Sequence, residues 1–261
     1  MRGIETEALI LRSVDFGESD RIIHLLTPGS GRLTTIAKGG RRSVRRFGGT
    51  LDLFNHLRVQ VDFGRKTSMA RLDQARLIES FEPLRIDPGR FALGCYLLEL
   101  FDRLAPEGGN RADMRRLFDF ALDALKTIAV WDPSLRLRTL LELRALDALG
   151  LRPELRNCVR CGEPAGRTAE VDFHVADGGA VCGACAPRME GLLRVHLGTL
   201  RALERGLLLD FGRLDRLGIG GRSLDEAQQL ISRFQRFHVG VELRSERFLD
   251  QILEQQCTSG L

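Results

Sequence analysis

The fold of the first third of the chain is decided by residues 6–37, TEALILRSVDFGESDRIIHLLTPGSGRLTTIA. Residues typical of β-strands fill positions 6–14, 21–27 and 32–37. Turn signals containing Gly, Ser, Asp or Pro separate these runs at 16–20 and 28–31. The stretch therefore predicts three consecutive strands joined by short turns.

Two further strands are predicted downstream of a loop rich in glycine and arginine. Positions 57–63 alternate between apolar and polar residues, and positions 69–81 are a plausible fifth strand. Five short strands at this spacing predict a small barrel or a sandwich, and the pattern alone leaves both open.

Helical periodicity replaces the strand pattern after the prolines at 83 and 88. Helices are expected at 89–105, 111–130, 132–150, 197–209, 223–239 and 245–256. Gly150 is a natural C-terminal cap, and Ser223 with Glu226 three residues later resembles an N-cap. The predicted architecture is α+β and multidomain, with a β module at 1–81 and a mostly helical domain at 82–261 that carries an insertion at about 157–187.

Composition and charge narrow the function classes. No apolar run of the 261-residue chain approaches the roughly 20 residues that a membrane span needs, and the N-terminus lacks the apolar core of a signal peptide. We therefore expect a cytoplasmic protein without a membrane partner. Residues 1–80 carry a net charge of +5 and the remainder −1, so the basic excess lies in the predicted β module.

Four of the six cysteines form two C-x-x-C pairs, Cys158/Cys161 and Cys182/Cys185, separated by 20 residues. Each pair can form a tight knuckle, and two knuckles supply four thiolates to a tetrahedral Zn²⁺. Gly162 and Gly183 flank the knuckles and could adopt unusual backbone angles. Four thiolates leave no open position on the metal, so the predicted zinc is structural, and His174 is a surface or packing residue.

Two other interpretations of the cysteines are weaker. A thioredoxin-like motif needs one pair in a βαβ setting, and an iron–sulfur cluster fits the knuckle spacing less well. Chelation or Cys158→Ala is expected to unfold the insertion while the β module survives, because so short a segment has little core of its own.

A basic loop lies between the third and fourth predicted strands. It contains Lys38, Arg41, Arg42, Arg45 and Arg46, and Arg65 and Lys66 add a smaller basic patch. Cations flanked by glycines on a small barrel favour binding to the phosphates of nucleic acid, and a solvated charged loop is the alternative. For base stacking the candidates are Phe47, Phe54 and Phe63, each of which could equally be core, with core favoured for Phe63.

No catalytic motif is present in the sequence. There is no G-x-S-x-G, H-E-x-x-H, P-loop or Rossmann fingerprint, and the five histidines show no pairing at helical spacing. A binding protein is therefore the better class, and no catalytic residue is expected. The competing classes are a zinc-dependent enzyme acting on nucleic acid, which would need an unsaturated metal shell, and a protein scaffold that docks through the zinc insertion and has no affinity for DNA.

Several segments together resemble the bacterial recombination mediator family RecO, over nearly the whole chain. They are GESDRII at 17–23, LLT at 25–27, AKGGRR at 37–42, LDALGLRPEL at 146–155 leading into Cys158, and LRSERFL at 243–249. The resemblance rests on their order and spacing rather than on any single segment.

This resemblance implies an N-terminal OB-fold and a helical C-terminal domain with a zinc motif. It implies binding of single- and double-stranded DNA, annealing of complementary strands, and loading of the RecA recombinase onto strands coated by single-strand-binding protein. RecR and the acidic C-terminal tail of single-strand-binding protein would be partners. Some family members lack the cysteines, so zinc would not be essential to the shared activity.

Overall fold

The computed structural model describes residues 3–64, 69–166, 168–240 and 242–259. Contacts divide the chain into two compact units, residues 1–133 with 243–261, and residues 134–242. The C-terminal segment thus belongs to the same unit as the N-terminal half. The expected division into folding domains at 1–81 and 82–261 stays a prediction, because compactness does not establish which segments fold alone.

The first unit contains a closed five-stranded barrel, which confirms the barrel rather than the sandwich. Its strands are β1 (Gly3–Phe16), β2 (Asp20–Thr27), β3 (Gly31–Ala37), β4 (Asn55–Asp62) and β5 (Ala70–Ser80). β1 pairs antiparallel with both β2 and β4, β2 pairs with β3, and β4 pairs with β5. A short parallel pairing places Thr35 opposite Ala70 and closes the ring in the order β1-β2-β3-β5-β4. This is an OB-fold.

Side chains that alternate along the strands fill the barrel core. Ile23 and Leu25 of β2 are fully buried in it, whereas their neighbours Ile22 and His24 lie outside it and are partly exposed. A short helix that the sequence pattern did not predict, α1 (Val44–Phe47), adds Phe47 to the same core. Full burial of such a side chain stabilises the fold by about 1.5–3 kcal/mol, so the end of the basic loop is anchored in the barrel.

Helices complete the first unit. They are α2 (Pro83–Ile86), α3 (Pro88–Leu104), α4 (Arg111–Val130) and α8 (Arg244–Ser259). Asp87 caps α3 by accepting a hydrogen bond from the backbone N–H of Arg90 at 2.7 Å. The Glu99 carboxylate on α3 accepts the backbone N–H groups of Arg244 and Ser245, and so holds the start of α8 on α3.

The second unit combines helices with a small sheet. Its elements are α5 (Leu135–Ala148), β6 (Glu170–His174), β7 (Gly179–Val181), β8 (Leu192–His196), α6 (Leu197–Leu208) and α7 (Arg222–Val239). Ser134 caps α5 through the backbone N–H of Leu137, and Gly150 follows its end with a φ of 80°, as expected. The sheet, ordered β7-β6-β8, was not predicted from the sequence because its strands are only three to five residues long.

The expected capping of α7 by Ser223 is wrong. The N-cap is Gly221, with a φ of 48°, and the helix begins at Arg222. Glu226 accepts from Arg222 Nε within its own helix at 3.2 Å, but its other partners lie outside it. These include the His196 backbone N–H at 3.1 Å and the Thr199 hydroxyl at 2.7 Å. The start of α7 thus provides a hydrogen-bond acceptor for donors at the N-terminus of α6.

Candidate metal centre and nucleic-acid interface

The four predicted cysteines come together in the second unit. Ligand atoms of Cys158, Cys161, Cys182 and Cys185 all lie within 4.8 Å of one another, and they form the one metal-capable cluster among the described residues. The Sγ atoms of Cys161 and Cys182 are 3.7 Å apart. Tetrahedral zinc with bonds of about 2.3 Å to sulfur requires S–S separations of about 3.8 Å, so the donor set fits this ion.

Both knuckles are built by backbone hydrogen bonds. The N–H of Gly162 donates to the carbonyl of Cys158 at 2.8 Å, and the N–H of Cys185 donates to that of Cys182 at 3.0 Å. Gly162 has a φ of 78°, in the region that favours glycine, whereas Gly183 does not require it. The expectation of an unusual backbone angle therefore holds at the first knuckle and is wrong at the second.

The pKa values of the thiols reflect their crowding. Burial opposes ionisation of Cys158, but backbone N–H groups from both knuckles donate to its sulfur and lower its pKa to about 6. Hydrogen bonding with Cys182 is the largest cause that raises the pKa of Cys185, to about 12. One thiolate thus forms readily, and a bound cation would offset the repulsion that opposes the others.

His174 stands apart from this cluster, as expected. Its Nδ1 lies 2.9 Å from an Asp177 carboxylate oxygen, within the turn that connects β6 to β7. Four thiolates would complete a tetrahedral shell without it and would leave no open position of the kind that zinc enzymes use.

The basic loop projects from the end of the barrel where β3 finishes. Asp20 holds it, accepting from the backbone N–H of Gly39 and from Lys38 Nζ, both at 2.8 Å. The Lys38 hydrogen bond is the main cause that lowers the pKa of Asp20. Arg41 donates its backbone N–H to the Ser19 carbonyl at 3.0 Å, and its Nε lies 3.4 Å from an Asp15 oxygen. Two of the five predicted cations are therefore partly neutralised.

The other three arginines differ in their surroundings. Arg46 donates to the Lys38 carbonyl and to Ser43 Oγ, and its guanidinium lies 5.1 Å from the Phe47 ring centroid. Arg42 and Arg45 are exposed and make no side-chain hydrogen bond or ion pair within the described ranges. These two are the cations most available to an external anion.

A cleft of about 530 Å³ lies between this loop and β5. Its lining consists of Ser43, Arg45, Arg46, Gln74, Ala75 and Arg76. Three guanidinium groups line it, and none of its described lining residues carries a carboxylate. Arg76 was missed from the sequence, where it is one polar residue of an alternating strand with no local cue to the loop opposite. Arg65 and Lys66, predicted as a second basic patch, lie outside the described residues.

The aromatic candidates for base stacking are core residues. Phe47 is 3% exposed and Phe54 is fully buried, while Phe63 is partly buried and packs against the barrel core. Phe47 and Phe54 are therefore core residues rather than stacking residues. The prediction that Phe63 belongs to the core is confirmed.

The fold and the cysteine cluster define a class: proteins with an OB-fold joined to a helical region that carries four cysteines able to bind a metal ion. Family models agree with this class. "Recombination protein O N terminal" matches residues 1–81, and "Recombination protein O C terminal" matches residues 85–247.

Full-length relatives point the same way. The protein named DNA repair protein RecO from Anaeromyxobacter dehalogenans strain 2CP-C is 36% identical over 255 residues, covering 97% of this chain and 98% of the relative. Those of Symbiobacterium thermophilum and Myxococcus xanthus strain DK1622 are each 33% identical, over 94% and 97% of this chain and 96% and 99% of the relatives. The chain belongs to the RecO family, a family of DNA repair proteins.

The helices add one finding about membranes. None of those within the described ranges combines the length and the apolar character that crossing a bilayer requires.

Proposed function

We propose that this chain is a recombinational repair mediator that binds single- and double-stranded DNA through the barrel, anneals complementary strands and helps to load RecA onto strands covered by single-strand-binding protein. The observation that carries the proposal is the cleft beside the basic loop, where Arg45, Arg46 and Arg76 converge and no carboxylate lies among the lining residues that the structure describes. Guanidinium groups suit this role because each can donate two hydrogen bonds to one phosphate.

The assigned DNA contacts are ranked by their availability. Arg42 and Arg45 come first, Arg46 and Arg76 follow at the cleft, and Lys38 and Arg41 contribute when phosphate competes with their carboxylate partners. Arg65 and Lys66 stay in the proposal on the strength of the sequence. Annealing follows from the same charges, since neutralising phosphates lowers the repulsion between two strands and needs no bond-making step.

Zinc is the proposed metal, and its role is structural. The four thiolates would hold it in a closed shell, so the ion would fix the two knuckles and would not bind substrate. This closed shell disfavours the alternative of a zinc-dependent enzyme. The partners that we propose are RecR and the acidic tail of single-strand-binding protein, with no residues assigned, and the setting is the cytoplasm, on the nucleoid.

The test compares an Arg42→Ala/Arg45→Ala variant with the unaltered chain in DNA binding and annealing over a range of salt concentrations. Removing two phosphate contacts is expected to reduce the log–log salt slope on single strands by about 1.4 and to slow annealing. The matched control is Arg201→Ala/Arg205→Ala, which removes two exposed arginines from α6. Equal slopes for the variant and the unaltered chain would contradict the assignment of the loop. DNA binding without any annealing would favour the enzyme class, and no affinity for DNA would favour the scaffold class.

A further inference from the structure

The hairpin that joins β1 to β2 carries an exposed aromatic side chain. Phe16, the last residue of β1, is 50% exposed, and Val14 on the same face is 38% exposed. The two residues are two steps apart along the strand, a distance of about 6.8 Å. Exposed apolar side chains are informative when they adjoin one another, because contiguous apolar patches mark interaction surfaces.

The apolar surface continues across the neighbouring strands. Val14 lies opposite Ile22 in β2, and Ile22 lies opposite Ile36 in β3. Both isoleucines are partly exposed and lie outside the barrel core, whereas the adjacent Ile23 and Ala37 belong to it. Val14, Phe16, Ile22 and Ile36 thus form one strip on the outer surface of the barrel, here called the apolar strip.

Hydrogen bonds join the apolar strip to the basic loop. The turn after Phe16 is bonded to the loop through the Ser19 carbonyl, which accepts the Arg41 backbone N–H at 3.0 Å. Asp20, which pairs with Phe16 across the hairpin, holds Gly39 and Lys38. These bonds fix the position of the apolar side chains relative to the cations.

We infer that the apolar strip contacts the unstacked bases of single-stranded DNA whose phosphates lie on the basic loop, with Phe16 as a stacking platform. This inference rests on the proposed DNA binding and extends it, because charge alone does not distinguish one strand from two. The charge around the strip favours a polyanion. Arg12 borders the strip, and the loop cations adjoin its other end, where Glu18 is exposed and the acids Asp15 and Asp20 are paired with Arg21 and Lys38. An apolar surface bordered by cations suits a polyanion with exposed aromatic rings. Duplex bases are stacked inside the helix and cannot reach it.

The first experiment measures binding of oligo-dT and of a hairpin duplex by Phe16→Ala. The affinity for oligo-dT is expected to fall about 5- to 150-fold, the range for loss of one base–aromatic contact, while duplex affinity changes less than about twofold. The salt slope should stay unchanged, because no phosphate contact is lost. The matched control is Phe237→Ala, which removes a similarly exposed phenylalanine (60%) from α7 and should bind normally.

A second variant reports the contact directly. Phe16→Trp in a Trp131→Phe background places the chain's single tryptophan on the apolar strip. Quenching of its fluorescence by oligo-dT, but not by duplex, supports the inference. Bound oligo-dT without quenching, or equal losses on single strands and duplex for Phe16→Ala, overturns it. If the unaltered chain binds no DNA, both the proposed function and the inference about the apolar strip are wrong. DNA binding that depends on Arg42 and Arg45 but not on Phe16 overturns only the inference about the apolar strip.

Discussion

Removing the metal is expected to release the two cysteine knuckles but not the sheet beside them. Among the described residues, the buried members of the cluster around the site are Cys158, Val181 and Ala186. One buried valine contributes about 1.5–3 kcal/mol and an alanine less, whereas zinc on four thiolates contributes about 10–16 kcal/mol in small zinc peptides. The ion therefore dominates the local stability of the knuckles.

The neighbouring strands have a different source of stability. Val171 and Phe173 of β6 and Val195 of β8 are each at most 3% exposed. The Phe173 ring meets Phe234 of α7 edge-on at 6.5 Å between centroids. This packing does not depend on the metal. We therefore expect the knuckles alone to unfold, rather than the whole insertion as the sequence suggested.

Hydrogen exchange with and without a chelator tests this division, with zinc content measured in parallel. Backbone amides of 157–165 and 182–189 should lose protection, while those of β6, β8 and the barrel keep theirs. Cys158→Ala should behave like the chelated protein, and Cys95→Ala is the matched control, because Cys95 lies on α3 in the other unit and its loss should leave the zinc content unchanged. Knuckle amides that remain protected after the metal is gone would refute the reasoning, as would loss of protection throughout the second unit.

Two further predictions concern the barrel. Burial is the main cause that lowers the pKa of His56, so the unfolded chain takes up a proton below about pH 6.5 before the folded chain does, and stability should be full above that pH and decline below it. Denaturant titrations from about pH 7.5 to 5 should show a flatter decline for His56→Gln, and an unchanged decline would mean that another group titrates. Asp20→Ala should free Lys38 and make the salt slope for oligo-dT steeper by about 0.7, opposite in sign to the arginine variant, with faster exchange at Gly39. A shallower slope would mean that the order of the loop matters more for DNA binding than its charge does.

The elements that the sequence predicted well are those with a local signal. Strands β1 to β5 and the helices α3 to α8 follow from alternation and helical period, and the metal cluster follows from the spacing of the cysteines. The three strands β6 to β8 were missed because segments of three to five residues carry too little periodicity. The N-cap of α7 was misplaced because Glu226 bonds to His196, 30 residues away in sequence.

The sequence by itself determined the five strands, most of the helices, the four-cysteine metal site and the location of the basic loop, since each depends on residues close together in the chain. Only the tertiary structure decided which cations are available, because Lys38 and Arg41 meet Asp20 and Asp15 across a turn of the barrel. It also showed that Phe47 and Phe54 are buried in the core and that Phe16 is exposed. Phe16 is therefore the candidate for base stacking. Burial and ion pairing depend on contacts between distant segments, and no local pattern encodes those contacts.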